Sequence, residues 1–224
     1  MASRLSVIVP VLNEAAGIRE ALEALAPLRA RGHEIIVVDG GSDDGTVSLA
    51  APACDQVLVT PRGRALQLNT GALVASGDAL VFLHADTQLP ERADELISAA
   101  LAQASWGRFD VRIASRRLLL GVVACAMNLR SRLTGIATGD QAIFVRRDAF
   151  PGFPEIPLME DVALCRLLKR RGRPACLRSR VTTSARRWEA HGVLRTIVLM
   201  WRLRLLYALG FAPQRLARDY ADPR

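Results

Sequence analysis

Cysteine, aromatic residues, lysine and long apolar runs are all scarce in this 224-residue chain. The four cysteines, Cys54, Cys125, Cys165 and Cys176, show no C-x-x-C spacing. Neither a disulfide framework nor a zinc site is expected, and the thiols read as buried groups of a reducing, cytoplasmic compartment. Aromatics make up 5% of the chain, too few to supply the stacking platforms of a single-strand nucleic-acid binder. The longest uncharged apolar stretch near the middle, Leu118 to Met127, is too short to cross a bilayer. The N-terminal MASRLSVIVPVLNE carries one Arg, holds Pro10 inside its apolar run and lacks an A-x-A-like cleavage site. It is expected to be a first strand and not a signal peptide. No strand is followed by G-x-G-x-x-G or G-x-x-x-x-G-K-[ST], and G-x-S-x-G and H-E-x-x-H are also missing. Internal repeats, low-complexity stretches and linkers are absent too.

What is present is a chain that can build a core. Half of its residues are hydrophobic and 23% are charged, which excludes wholesale disorder. The net charge of +8 is unevenly spread. Residues 1–112 hold 14 acids against 9 Arg, whereas residues 113–224 hold 21 basic residues against 8 acids. Lys169 is the only lysine. A basic half points to an anionic partner: nucleic acid, a phosphorylated substrate or a membrane surface.

The first 90 residues alternate strand and helix. Leu5–Val11 is a continuous β-branched run, and Ala15–Ala30 repeats apolar residues at helical spacing (Ile18, Leu22, Leu25, Leu28). Glu34–Val38 is a second strand running into the turn-rich Asp-Gly-Gly-Ser-Asp-Asp-Gly-Thr, and a helix begins near Thr46. Strand Asp55–Val59, helix Arg64–Ala75 and strand Ala79–His84 follow. Strands separated by such helices form βαβ units, hence a mostly parallel sheet flanked by helices: an α/β fold. Later segments read as helix Glu91–Ala104, strand Trp106–Ile113, an apolar stretch Arg116–Leu133, strand Gln141–Arg146, helix Leu158–Arg171 and a last helix over 190–209. Ligands of open sheets bind beyond the carboxyl ends of the strands. Asn13, Glu14, Asp39 and Asp86 all fall there.

At these residues the sequence resembles family-2 glycosyltransferases of GT-A fold. The resemblance rests on Ser6-Val-Ile-Val-Pro10-Val-Leu-Asn13-Glu14 and Ile36-Val-Val-Asp39-Gly-Gly-Ser42-Asp-Asp44-Gly-Thr46. It continues through Gly63-Arg64 with Asn69 and Gly71, then Phe82-Leu-His84-Ala-Asp86, then Glu160-Asp161. The short bacterial members with His-Ala-Asp-Thr and Pro-Leu-Met-Glu-Asp are the most similar. The resemblance implies a GT-A domain over residues 1–185 with a basic amphipathic helical appendage over 186–224. It implies a nucleotide-diphospho-sugar donor, an inverting transfer and a divalent cation, Mg²⁺ or Mn²⁺. The acceptor would be a lipid phosphate or a small metabolite, and the site would lie in the cytoplasm, with the inner membrane face as a peripheral location.

Residue by residue, Pro10, Asn13, Glu14, Asp39 and Ser42 would shape the base pocket. Asp39 is equally a turn-former before Gly40-Gly41, and Asn13 is also expected to cap the first helix. Arg64 would meet the diphosphate at a helix N-terminus, or else sit solvated there. Asp86 would carry the metal, since a diphosphate leaving group develops charge that a cation neutralises. His84 stands where the family has the first Asp of D-x-D, so the ribose contact is open, and a packed strand-end histidine is the competing reading. Asp161 would be the general base, with Glu160 beside it to raise its pKa, although both acids also suit a helix N-terminus. Gly139, Asp140 and Gln141 would line the acceptor pocket. Ser184-Ala-Arg-Arg187-Trp188 resembles Q-x-x-R-W with Ser for Gln, so Arg187 would clamp phosphate and Trp188 stack on sugar. His191 matches a late metal-binding histidine, or caps a helix. The segments 116–133 and 193–209 suit a membrane surface, a second copy of the chain or their own core. Two rivals remain: a sugar nucleotidyltransferase, which would need a Gly-rich basic loop where Val11-Leu12-Asn13-Glu14 stands, and a non-catalytic binder of anionic membranes or nucleic acid.

Overall fold

The computed structural model describes residues 4–220, apart from the side chains of Arg187, His191 and Asp219. The chain enters as strand β1 (Leu5–Val11), whose branched residues are buried almost throughout. The apolar pattern that follows gives two helices instead of one, α1 (Ile18–Glu23) and α2 (Ala26–Ala30). Pro27 lacks an N–H and its ring would meet the carbonyl of Glu23, so α1 cannot run on. Then come β2 (Glu34–Asp39), α3 (Thr46–Ala50), β3 (Gln56–Val59), α4 (Arg64–Val74) and β4 (Ala79–Phe82). The second half adds β5 (Thr87–Gln88), α5 (Ala93–Leu101), β6 (Trp106–Ala114), α6 (Leu118–Thr134) and β7 (Ile143–Arg146). It ends with α7 (Glu160–Lys169), β8 (Ala175–Ser184), α8 (Arg186–His191), α9 (Val193–Ala208) and α10 (Pro213–Asp219).

The eight strands form one sheet in the order β3-β2-β1-β4-β7-β6-β8-β5. The first four are parallel, with Ile8 paired to both Ile36 and Phe82. Three pairings, β4–β7, β6–β7 and β5–β8, are antiparallel, and β6–β8 is parallel with a register shift at Phe109/Asp110. The sheet is therefore mixed beyond β4. β8 was not foreseen in the sequence, although exposed Arg178 and Arg180 alternate there with the less exposed residues that pack inward. Gln141 does not open β7: Gly139–Gln141 makes a single tight turn and Ala142 takes a positive φ of 44° before the strand starts.

β1 and β4 are neighbours, and the chain leaves β1 towards one edge of the sheet, through β2 and β3, and β4 towards the other. This reversal opens a crevice beyond the carboxyl ends of β1 and β4. One core layer gathers Val7, Val9, Ile35, Val37, Val81 and Phe109 under α1, α5 and α6. The opposite layer gathers Ile8, Val38, Leu80, Phe82 and Trp106 under α4 and α7. A third cluster, Leu158, Met159, Val162, Leu203 and Leu216, ties α7 to α9 and α10. Leu203 is fully buried there, worth about 2 kcal/mol of apolar burial. The C-terminal helices thus pack into the same body. Cys54 and Cys165 are buried and Cys176 half-buried, but Cys125 is exposed on α6, against the expectation of buried thiols throughout.

α4 can lie close to β1 and β2 because Gly71 has no side chain. A Cβ there would stand 2.5 Å from Ile8 Cγ2 and 3.1 Å from Val38 Cγ2. Gly71→Ala is expected to destabilise the fold by about 1–3 kcal/mol through overpacking. It should lower the midpoint of urea unfolding at an unchanged m-value.

Candidate active site

A cleft of about 680 Å³ occupies the crevice. Pro10, Val11, Leu12 and Glu14 line it from the end of β1, and His84, Ala85 and Asp86 from the end of β4. Arg62 and Arg64 come from the start of α4, Gly139 and Asp140 from the turn before β7, and Glu160 and Asp161 from the start of α7. Residues far apart in sequence are brought together because each stands where its strand or helix meets the same open edge.

The loops after β1 and β2 hold one another. Asp39, which is buried, accepts hydrogen bonds from the Gly41 and Ser42 amides at 2.8 Å and from the Ser42 hydroxyl. The Asn13 amide donates to Ser42 Oγ at 2.8 Å, and Asn13 Oδ1 accepts from the Asp43 amide at 3.1 Å. Asn13 therefore does not cap α1, whose N-cap position is Gly17; its positive φ of 55° turns the chain into the cleft instead. Asp39, Ser42 and Asn13 spend these polar atoms on the loops, and Leu12 and Glu14 form the cleft wall that they shape. Glu14 in turn accepts two bonds from Arg186 Nη2, at 3.0 and 3.1 Å, which joins the β1 loop to α8.

On the β4 side, His84 Nδ1 lies 3.2 Å from Asp140 Oδ1. A Cβ on Gly139 would stand 2.2 Å from His84 Nε2, so only glycine lets the ring pack against this turn. Asp86 is fixed through its backbone, since its carbonyl accepts from the Ser184 amide at 3.0 Å. Among the described residues its carboxylate meets the Thr87 hydroxyl, at 3.4 Å. Among the described residues no three His, Cys, Asp or Glu side chains cluster as a metal cage. Such a donor set still fits Mg²⁺ or Mn²⁺ held largely by phosphate oxygens and water, which asks for one or two protein carboxylates. The His191 side chain, a candidate ligand, lies outside the described residues.

Met159 adopts a positive φ of 68°, uncommon for a residue with a side chain. That turn delivers Glu160 and Asp161 as the first residues of α7. Glu160 is buried, with Oε1 3.9 Å from Arg64 Nη1. Asp161 accepts from its neighbour Val162 at 2.7 Å and from the Gly139 amide at 3.1 Å. Burial and then the Glu160 charge push the Asp161 carboxyl up to about 6, against the opposing pull of those two amides and Arg64. Burial alone would lower the Arg64 pKa, but Glu160, Tyr220, Asp140 and Asp161 raise it, so the guanidinium stays charged.

The remaining wall divides the expected acceptor residues. Gln141 is fully buried and turned away, its amide donating to Asn128 Oδ1 and Ser131 Oγ of α6 at 3.3 and 3.1 Å. It fixes the Gly139–Asp140 turn and does not line the cleft. Trp188 does line it, with Thr183 and Ser184 of β8. Arg187 has its side chain outside the described residues, and Arg186 is the arginine seen at this edge. Thr196, Met200 and Arg204 of α9 complete the wall and were missed in the sequence. Their i, i+4, i+8 spacing was the available signal, masked by the apolar residues around it.

The sequence model described as "Glycosyl transferase family 2" matches residues 6–118, half of the chain. A "PGL/p-HBAD biosynthesis glycosyltransferase" of Mycobacterium bovis is 37% identical over 102 residues, covering 42% of this chain and 40% of that protein. "Glycosyltransferase AglE" of Haloferax volcanii is 38% identical over 90 residues, covering 36% of this chain and 30% of that protein. The chain thus matches about two-fifths or less of these curated relatives' length. Among solved structures, a Pyrobaculum calidifontis mannosyltransferase in complex with GDP-Man and Mn²⁺ superposes with a TM-score of 0.64 at 24% identity, covering 100% of this chain and 66% of that one. Glucosyl-3-phosphoglycerate synthase of Mycobacterium tuberculosis, in complex with Mn²⁺ and UDP-glucose, gives 0.57 at 19% identity, covering 81% and 70%. At such identities the structures speak for the fold alone. The chain belongs to glycosyl transferase family 2 and has the GT-A fold.

Proposed function

We propose that the protein transfers a sugar from a nucleotide-diphospho-sugar to an acceptor hydroxyl with inversion, and that Asp161 is the general base. The observation that carries this reading is the Asp161 carboxyl itself. It lines the cleft, is aimed by two backbone amides and is pushed up to about 6 by burial and the Glu160 charge. A base with a pKa near working pH is both available in its ionised form and strong enough to take a proton. In the transfer, the acceptor oxygen bonds to the anomeric carbon as its proton passes to Asp161. The bond from that carbon to the diphosphate oxygen breaks, and the nucleoside diphosphate leaves with the electron pair.

The chain's other cleft residues fit the parts of this reaction. Arg64, charged and at the N-terminus of an eleven-residue helix, suits the diphosphate. Asp86, whose carboxylate among the described residues meets the Thr87 hydroxyl at 3.4 Å, would hold a divalent cation that neutralises charge on the leaving group. The β1 loop and its support from Asp39, Ser42 and Asn13 would hold the base of the nucleotide. His84 positions Asp140 and seats the Gly139 turn, whose amide in turn aims Asp161. GDP-Man, UDP-glucose and UDP-GlcNAc are bound by neighbours of the same fold, which makes UDP- and GDP-sugars the donors to test first.

Asp161→Asn should lower transfer by about 10²–10⁴-fold while nucleotide binding, read by calorimetry, stays nearly intact. Equal loss of binding and transfer would remove Asp161 from the base role. Because the base acts when ionised, the wild-type rate should climb as pH rises through about 6 and level off above it. The residual Asp161→Asn rate should show no such step. Calorimetric titration with UDP- and GDP-sugars, with and without Mn²⁺, should reveal a cation-dependent gain in affinity that Asp86→Ala abolishes.

A further inference from the structure

Two helices leave an apolar stripe uncovered. On α9, Leu194, Val198, Trp201 and Leu205 are exposed, Trp201 by 72%, and so is Leu209 at its C-cap. Their spacing places them on one face, opposite the Thr196, Met200 and Arg204 face that lines the cleft. On α6, Leu118, Val122, Leu129 and Leu133 form a second exposed row, with Leu118 exposed by 90%. Both helices seat on the same core layer, through Leu120 and Ala124 of α6 and Val193 of α9.

The charge around these stripes selects what covers them. No Asp or Glu occurs between Asp110 and Asp140, or between Glu189 and Asp219. Exposed Arg116 and Arg117 stand just before α6, and Arg195 and Arg202 flank the α9 stripe. A two-fold dimer through this surface would set the same arginine-rich, acid-free patch against itself. An anionic bilayer instead offers phosphate to the arginines and hydrocarbon to the leucines, with the headgroup boundary for Trp201. No helix among the described residues is long and apolar enough to cross a membrane, so the contact is one of lying on the surface. We infer that the α9 stripe, with its flanking arginines, docks the protein on an anionic phospholipid bilayer. The inference stands apart from the transfer chemistry, because vesicle binding can be read with no donor or acceptor present.

The test is sedimentation of the full chain with vesicles of phosphatidylcholine alone, or with phosphatidylglycerol added. Binding is expected only with phosphatidylglycerol and should weaken as salt rises. The double variant Trp201→Glu, Leu205→Glu should lower the partition coefficient by at least about tenfold. Arg195→Gln should lower it by about fivefold. Both changes are at exposed positions, and an unchanged melting temperature checks that the fold is kept. A blue shift of Trp emission on vesicle binding, lost in Trp201→Phe, would place that ring at the interface. Equal partitioning onto neutral vesicles, unchanged binding by the stripe variant, or a concentration-dependent dimer that the stripe variant dissolves would each overturn the inference.

Discussion

The position of β1 between β2 and β4 governs the rest of the molecule. Parallel strands whose connections diverge cannot close their carboxyl ends, because the helices that would cover them are carried away to opposite sides. The gap lies beside backbone that has just left the buried strands β1 and β4. Polar side chains at strand ends are free to face it. Gly71 is part of the same constraint, because the distance between α4 and the sheet sets where Arg64 begins its helix.

Charge inside the cleft is divided between the two halves of the chain. The first half supplies Glu14 and Asp86 together with Arg62 and Arg64, and the second supplies Asp140, Glu155, Glu160 and Asp161 together with Arg204, while Arg186 is held by Glu14. Glu160 lies between Arg64 and Asp161, so one buried carboxylate both raises its neighbour's pKa and keeps the arginine protonated. The Glu14–Arg186 pair spans 172 residues and joins the first loop to α8. These contacts make the cleft an electrostatic unit even though the family match ends at residue 118.

Local patterns in the first half were legible because they match single elements: branched runs for β1 and β2, and helical spacing for α4. Motifs placed Asp86, Arg64, Glu160 and Asp161 at the cleft for the same reason, since each terminates or opens an element. Three kinds of feature were not legible. The break between α1 and α2 depended on one proline inside an otherwise helical pattern. The strand β8 has few branched apolar residues, only Leu177 and Val181 beside its small and polar ones, and its pairing with β6 is a long-range event. Gln141 and Asn13 have the right chemistry for a pocket, but hydrogen bonds to α6 and to the Asp43 amide turn them to structural duty, and such bonds are set only by tertiary contact.

Met159, in the cleft wall, shows how backbone conformation sets the chemistry of the site. A side-chain-bearing residue with positive φ costs of order 1–3 kcal/mol and persists only where its surroundings enforce it. Here the enforcement is burial of Met159 in the cluster that also holds Leu203 and Leu216. The last two helices of the chain therefore act as a clamp on the turn before α7. Packing by α9 and α10 thus reaches, through Met159, the turn that sets the Glu160 and Asp161 carboxyls at the cleft.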